Sequence, residues 1–178
     1  NPIPVKYCKN INLANKLRKL CEDQIKDETI GIKAGGTGIQ ALKKLKEKEP
    51  FTAKVFKKRL VKSGQNVKIN QHTKGIEVEV YYFIKKSFFD FKGKVTKSNV
   101  TKFIKFMGPC FEIVGFRQRN KKFTYLGDIC GDFGFNIKFV VGRKTKFKKL
   151  NLNNLKTSLV SKKNSIKVNG NTNIVYIN

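Results

Sequence analysis

From Asn12 to about Lys26, apolar residues recur at helical spacing, with Leu13, Leu17, Leu20 and Cys21 on one side. This predicts an amphipathic helix capped by Asn10 or Asn12. Thr29 to Lys33 reads as a short strand. Gly35-Gly36-Thr37-Gly38 then opens a second helix, about Ile39 to Lys48, with Ile39, Leu42 and Leu45 as its apolar stripe and Pro50 at its end.

The pattern changes after Pro50. Ile76, Val78, Val80, Tyr82 and Ile84 alternate with Glu77, Glu79, Tyr81 and Phe83, the clearest period of two in the chain. Val67 and Ile69 are expected to pair with this strand across a turn at His72–Gly75. Further strands are predicted at 51–61, 88–95, 103–107, 111–116, 122–126, 135–141, 165–168 and 173–177, with a long loop over 150–165. The fold class expected is α+β in one domain, residues 1–178: a helical part over 1–50 packed on a β-rich part over 51–178, the latter an antiparallel sheet or a partly closed barrel.

Cysteines sharpen this picture. Cys8, Cys21, Cys110 and Cys130 match no zinc spacing, and there is one histidine. The reading is two disulfides; of the three connectivities four cysteines allow, Cys8–Cys21 with Cys110–Cys130 is favoured. The second would pin a hairpin whose turn is Arg119-Asn120-Lys121, because both cysteines are equally far from residue 120. Disulfides imply an oxidising compartment, so a secreted protein is expected. Asn1 in first position without Met and the sequon at Asn99 fit that expectation.

Charge then sets the expected partner. Lys and Arg total 39 against 12 Asp and Glu, a formal net charge of +27 among 178 residues. Self-repulsion at that density is relieved by anions. The only arginines are Arg18, Arg59, Arg117, Arg119 and Arg143, so lysine dominates, which suits salt-sensitive, density-driven binding better than base-specific readout. Basic clusters with the spacing of heparin-binding segments occur at Lys57, Lys58, Arg59 and Lys62, at Lys43, Lys44 and Lys46, and at Arg143, Lys144 and Lys146, continuing to Lys148 and Lys149. The predicted hairpin tip adds Arg117, Arg119, Lys121 and Lys122. The expected partner is a polyanion, either a sulfated glycan such as heparin or a nucleic acid, with attraction to anionic membrane surfaces as a further expectation. No apolar run reaches transmembrane length, and no protein partner is legible.

Catalytic signals are thin. His72 with Glu77 or Glu79 has the residue types of a metal-independent ribonuclease, namely a base, an acid and nearby lysines. Asp128 and Asp132 flank Cys130, but two carboxylates make a poor cation site and read better as turn formers. The glycine turn lacks a Walker lysine and hydroxyl. No cofactor and no metal site is expected. The leading reading is therefore a secreted, non-enzymatic polyanion binder of the effector or toxin type. Its rivals are a secreted ribonuclease using His72, an intracellular nucleic-acid-binding protein, and a lipid-carrying or protein-binding β-rich module.

Overall fold

The computed structural model describes residues 3–37, 42–43, 46, 49–117 and 125–149, together with the backbone strands at 156–160 and 165–169. Among these residues it is a mixed α+β fold of short helices and three sheets, with no closed barrel. In order come α1 (Val5–Cys8), α2 (Ile11–Asp23), β1 (Thr29–Gly35), β2 (Phe51–Phe56), β3 (Leu60–Lys62), β4 (Thr73–Ile84), β5 (Ile104–Gly115), α3 (Leu126–Gly131), β6 (Asn136–Val141), β7 (Thr145–Lys146), β8 (Lys156–Val160) and β9 (Ser165–Asn169).

The helix α2 starts where its cap is. Asn10 Oδ1 accepts from the Asn12 and Leu13 amides at 3.0 and 3.2 Å, a contact whose loss costs about 1 kcal/mol. Its buried side is not the leucine stripe. Leu13 and Leu20 are exposed, and Ala14, Arg18 and Glu22 are buried. The two charges are tolerated inside because they satisfy each other at 3.2 Å. Arg18 also donates to Asn15 Oδ1, and Glu22 Oε1 accepts the Lys54 amide at 2.9 Å. Ala14 then packs with Phe51, Leu126 and Cys130, so the small core lies between α2, α3 and β2. Truncating Leu126 there would cost roughly 2–5 kcal/mol.

The main sheet has five strands. Its order is β3-β6-β5-β4, and β7 pairs with β5 beyond the end of β6. β4 and β5 run antiparallel for their full lengths, with Glu77 opposite Glu112 and Glu79 opposite Cys110. β3 runs parallel to β6, which makes the sheet mixed. β1 and β2 form a separate antiparallel pair, as do β8 and β9.

Several expectations are corrected. The segments predicted at 103–107 and 111–116 are one strand, β5, whose partners are β4 and β6. Among the described residues Leu126–Gly131 is helical rather than the end of a hairpin strand; the predicted turn at 119–121 and most of the strand predicted at 122–126 lie outside the described residues. Cys130 is therefore carried on a helix that packs against α2, with its thiol 2.8 Å from Asn15 Oδ1, while Cys110 sits in β5. All four cysteines are free thiols, and neither the Cys8–Cys21 nor the Cys110–Cys130 bridge forms. Residues 67–70 make no strand, 86–88 form a 3₁₀ turn, and the loop expected over 150–165 contains β8. Most of the second predicted helix and the 173–177 strand lie outside the described residues, although Leu42 is buried.

Candidate metal centre

Strand alternation puts Glu77, Glu79 and Glu112 on one face of the β4–β5 ladder. One carboxylate oxygen from each lies within 4.8 Å of the others. Glu77 and Glu79 reach solvent, while Glu112 is only 3% exposed. Like charges opposed across a ladder repel, so this grouping needs a counter-charge.

Part of it comes from Lys33 on β1. Its ammonium is bonded to Glu112 Oε1 and to the Gly134 carbonyl oxygen, the latter at 2.9 Å. The Lys33 side chain is 9% exposed and its charge stands 6.0 Å from the centre of the Phe51 ring. Desolvation pushes Glu112 up to about 7, with Lys33 pulling it down and Glu77 and Glu79 pushing it further up. Glu79 is likewise raised, first by the water that surrounding protein removes from a side chain still partly in solvent, then by Glu77, with Lys33 opposing.

The carbonyl that holds Lys33 belongs to an unusual turn. Phe133, Gly134 and Phe135 all have positive φ, at 53°, 65° and 61°. Two bulky residues in the left-handed region are strained and must be held there by their surroundings. Arg117 bonds Asp132 Oδ1 at 2.9 Å, and its own amide donates to Asp132 Oδ2 at 2.9 Å. Arg59 and Arg117 lie 5.0 and 5.5 Å from the Phe133 ring centre, on a shared aromatic support. Asn136 accepts from both guanidinium groups and donates to the Phe133 carbonyl. Burial and the neighbouring Arg117 bring Arg59 down to about 10. The arginines thus fix the turn, the turn fixes Lys33, and Lys33 meets Glu112.

The donor set can be tested against a cation by its chemistry. Three carboxylates are hard oxygen ligands of the kind that magnesium, calcium and manganese prefer. With Lys33 beside them the group sums to two negative charges when ionised. Two of the three carboxylates open to solvent, which leaves positions for water or a substrate oxygen. The residues fit a divalent cation.

The fold is similar to that of a decarboxylase. Two solved structures of 4-oxalocrotonate decarboxylase from Pseudomonas putida G7 match it. One, complexed with magnesium and adipate, has a TM-score of 0.63 at 17% identity, covering 83% of this chain and 57% of that one. The other, complexed with calcium and acetate, has a TM-score of 0.66 at 17% identity, covering 83% and 56%. This chain thus spans less than three-fifths of the decarboxylase's length. No family model and no curated protein matches the sequence.

The likeness overturns the expectation of a non-enzymatic, heparin-binding, toxin-like protein, together with its ribonuclease and nucleic-acid-binding rivals. The fold it resembles is that of an enzyme solved with magnesium and with calcium, and the free thiols remove the disulfide argument for secretion. Local pairing adds a physical reason. The early acids lie against the 54–59 basic run: Lys54 pairs with Asp23 at 2.9 Å, Lys57 with Glu28 at 2.6 Å, and Asp27 accepts the Lys58 amide at 3.0 Å.

The other predicted residues fall on several elements. Lys62 ends β3, and Lys43 and Lys46 follow β1 in sequence. Arg143, Lys144, Lys146, Lys148 and Lys149 are exposed around β7. Lys44, Arg119, Lys121 and Lys122 lie outside the described residues. His72 does not join Glu77 or Glu79; its Nδ1 donates to the Phe116 carbonyl at 3.0 Å. Asn99 has both side-chain ends engaged in its own turn, at 2.8 Å to Lys94 O and 2.8 Å from the Thr96 amide. A pocket of about 420 Å³ on α2, lined by Asn12, Asn15, Lys16, Arg18, Lys19 and Thr52, contains none of the clustered carboxylates.

Glu112 and Lys33 are the members that the sequence reading missed. The available signal was the lone acid in the apolar stretch from Phe103 to Phe116.

Proposed function

We propose that this chain is a metal-dependent enzyme domain acting on a small oxo carboxylic acid, with Glu77, Glu79 and Glu112 as the cation's ligands and Lys33 as the adjoining cation of the site. The observation that carries the reading is the convergence of three carboxylate oxygens within 4.8 Å beside a buried lysine. The similar decarboxylase was solved with divalent metals and with carboxylate ligands, which supports the substrate class.

A divalent cation held here would supply a Lewis acid for a chelated oxygen pair. The chain's own residues do the rest. Glu77 and Glu79 hold the solvent side of the site. Glu112 anchors its floor and fixes the Lys33 ammonium. An ammonium has three donors; two go to Glu112 and Gly134, leaving one N–H for a substrate carboxylate or carbonyl oxygen.

Calorimetric titration of the protein with Mg²⁺ and Mn²⁺ tests the site, and release of CO₂ from 2-oxo dicarboxylic acids tests the reaction. Binding near one ion per chain that Glu112→Gln weakens at least roughly tenfold is the expected result. An unchanged affinity in Glu112→Gln would overturn the ligand assignment.

A further inference from the structure

The connection between β4 and β5 projects aromatic rings into water. Phe89 is 75% exposed, Phe83 54% and Phe91 38%. They are not loose ends. Phe88 lies 5.7 Å from Phe89 and 5.4 Å from Phe103, and Phe91 lies 5.0 Å from Phe103. The Phe88, Phe89 and Phe91 amides donate to Lys85, Lys86 and Phe88 carbonyls at 3.1, 2.9 and 3.3 Å. Lys85 ties the turn to the start of β5, through its amide to Phe103 O at 2.7 Å and its ammonium to Lys102 O at 2.6 Å. Large apolar rings are thus held outward by a well-bonded turn, against the usual preference for burial.

Lysines surround them. Lys85, Lys86, Lys92 and Lys94 are exposed beside the rings, and Asp90, between Phe89 and Phe91, is the one acid from Phe83 to Phe106. An aromatic tip ringed by lysine suits a surface that is apolar inside and anionic at its boundary. Rings enter the acyl boundary while ammonium groups remain among the headgroups. Phe103 immediately precedes β5, whose first residue, Ile104, lies eight residues before Glu112, roughly 26 Å at 3.3 Å per residue. The feature is therefore separate from the carboxylate site and does not depend on the function proposed for it.

We propose that the 83–94 segment is a docking surface for an anionic lipid bilayer, with Phe89 and Phe91 as the inserting residues and the flanking lysines as its headgroup contacts. Net charge alone would draw this protein to anionic vesicles, but that attraction weakens with salt, whereas ring insertion persists.

The chain has no Trp, so Phe89→Trp makes a single fluorescent reporter at the tip. On vesicles of phosphatidylcholine and phosphatidylserine its emission should shift to the blue and be quenched by bromine-labelled acyl chains. Phosphatidylcholine alone should give a much weaker response. The Phe89→Ser/Phe91→Ser variant should lose roughly tenfold or more in partitioning at high salt, with some loss of unfolding temperature because Phe91 gives up its contact with Phe103. Phe89→Ser alone, at the most exposed ring, should weaken partitioning with the unfolding temperature of the parent. Three outcomes overturn the proposal: a bound protein whose Trp emission remains that of water, a double variant that partitions like the parent, and a blue shift that follows protein concentration without vesicles, which would mean a second copy covers the rings.

Discussion

Glu77 and Glu112 stand directly opposite each other on adjacent antiparallel strands, on the face where Glu79 completes the group. A like-charge pair in that position opposes folding unless something positive lies between the carboxylates. Without added metal, Glu77→Gln should therefore stabilise the protein, by about 0.2–1 kcal/mol. With Mg²⁺ or Mn²⁺ the order should reverse, because ion binding stabilises the parent by mass action and the variant has lost a ligand. Thermal unfolding of both proteins with and without the ion reads both effects. A parent whose unfolding temperature ignores millimolar ion removes the basis for the site.

The buried member predicts a pH dependence. Glu112 moves from an ordinary value of 4.5 up to about 7 in the folded protein, chiefly by desolvation. Below 4.5 it is protonated in folded and unfolded chains alike and contributes no difference. Between about 4.5 and about 7 the unfolded chain ionises first, so this group's contribution shifts toward unfolding as pH rises through that window. Metal binding needs the carboxylate, so it runs the other way. Affinity should rise with pH up to about 7 and fall by roughly tenfold per unit below it, with a proton released per ion. Calorimetry in buffers of different ionisation enthalpy counts that proton. Affinity that is flat from pH 5 to pH 8 would count against Glu112 as the titrating ligand.

A glycine at the centre of the left-handed turn supports Lys33 from behind. A Cβ on Gly134 would stand 2.7 Å from Phe51 Cε2 and 3.4 Å from Lys33 Cε, at a φ of +65°. Gly134→Ala should cost about 1–3 kcal/mol of stability. It should also weaken metal binding by displacing the lysine that orients Glu112, although residue 134 offers no ligand. Denaturant unfolding measures the first effect and ion titration the second. A destabilised variant with parental ion affinity would show that the turn supports the fold but not the site.

How much of this was legible follows from where the information lies. The alternation from Ile76 to Ile84 is local, and it correctly indicated β4 and placed Glu77 and Glu79 on one side. Their third partner depends on the register with β5, set across the connection from Lys85 to Phe103, and no short-range pattern encodes it. Lys33 is 79 residues from Glu112. His72 was a tempting partner because it is near in sequence, but its ring turns to Phe116. In α2 the helix was legible and its orientation was not. Arg18 and Glu22 look like surface residues until their mutual bond, and the Lys54 amide on Glu22, make them interior. The expected hairpin around residue 120 failed for a related reason: equal spacing of Cys110 and Cys130 is a symmetry of numbering, and α3 occupies the place of its second strand.

Because Cys130 rides on that helix, the thiols provide a direct check of the fold. Four thiols should titrate with a disulfide reagent after denaturation, and intact mass should not change with reductant. In the native protein their rates should differ widely. Cys8 is pushed up to about 12 by burial and by the bonded Asp128 carboxyl, and Cys110 to about 11 by burial and by Glu112 and Glu79. Both are buried, so little reactive thiolate forms near neutral pH. Cys130 is buried and raised as well. Cys21, on the half-exposed side of α2, should react first and alone. Divalent ion should leave Cys21 unaffected and slow Cys110 further, since closing the carboxylate group restricts the opening that exposes its neighbour in the ladder. Two fast thiols, or a mass two or four daltons below the reduced value, would be incompatible with this arrangement of α2, α3 and β5.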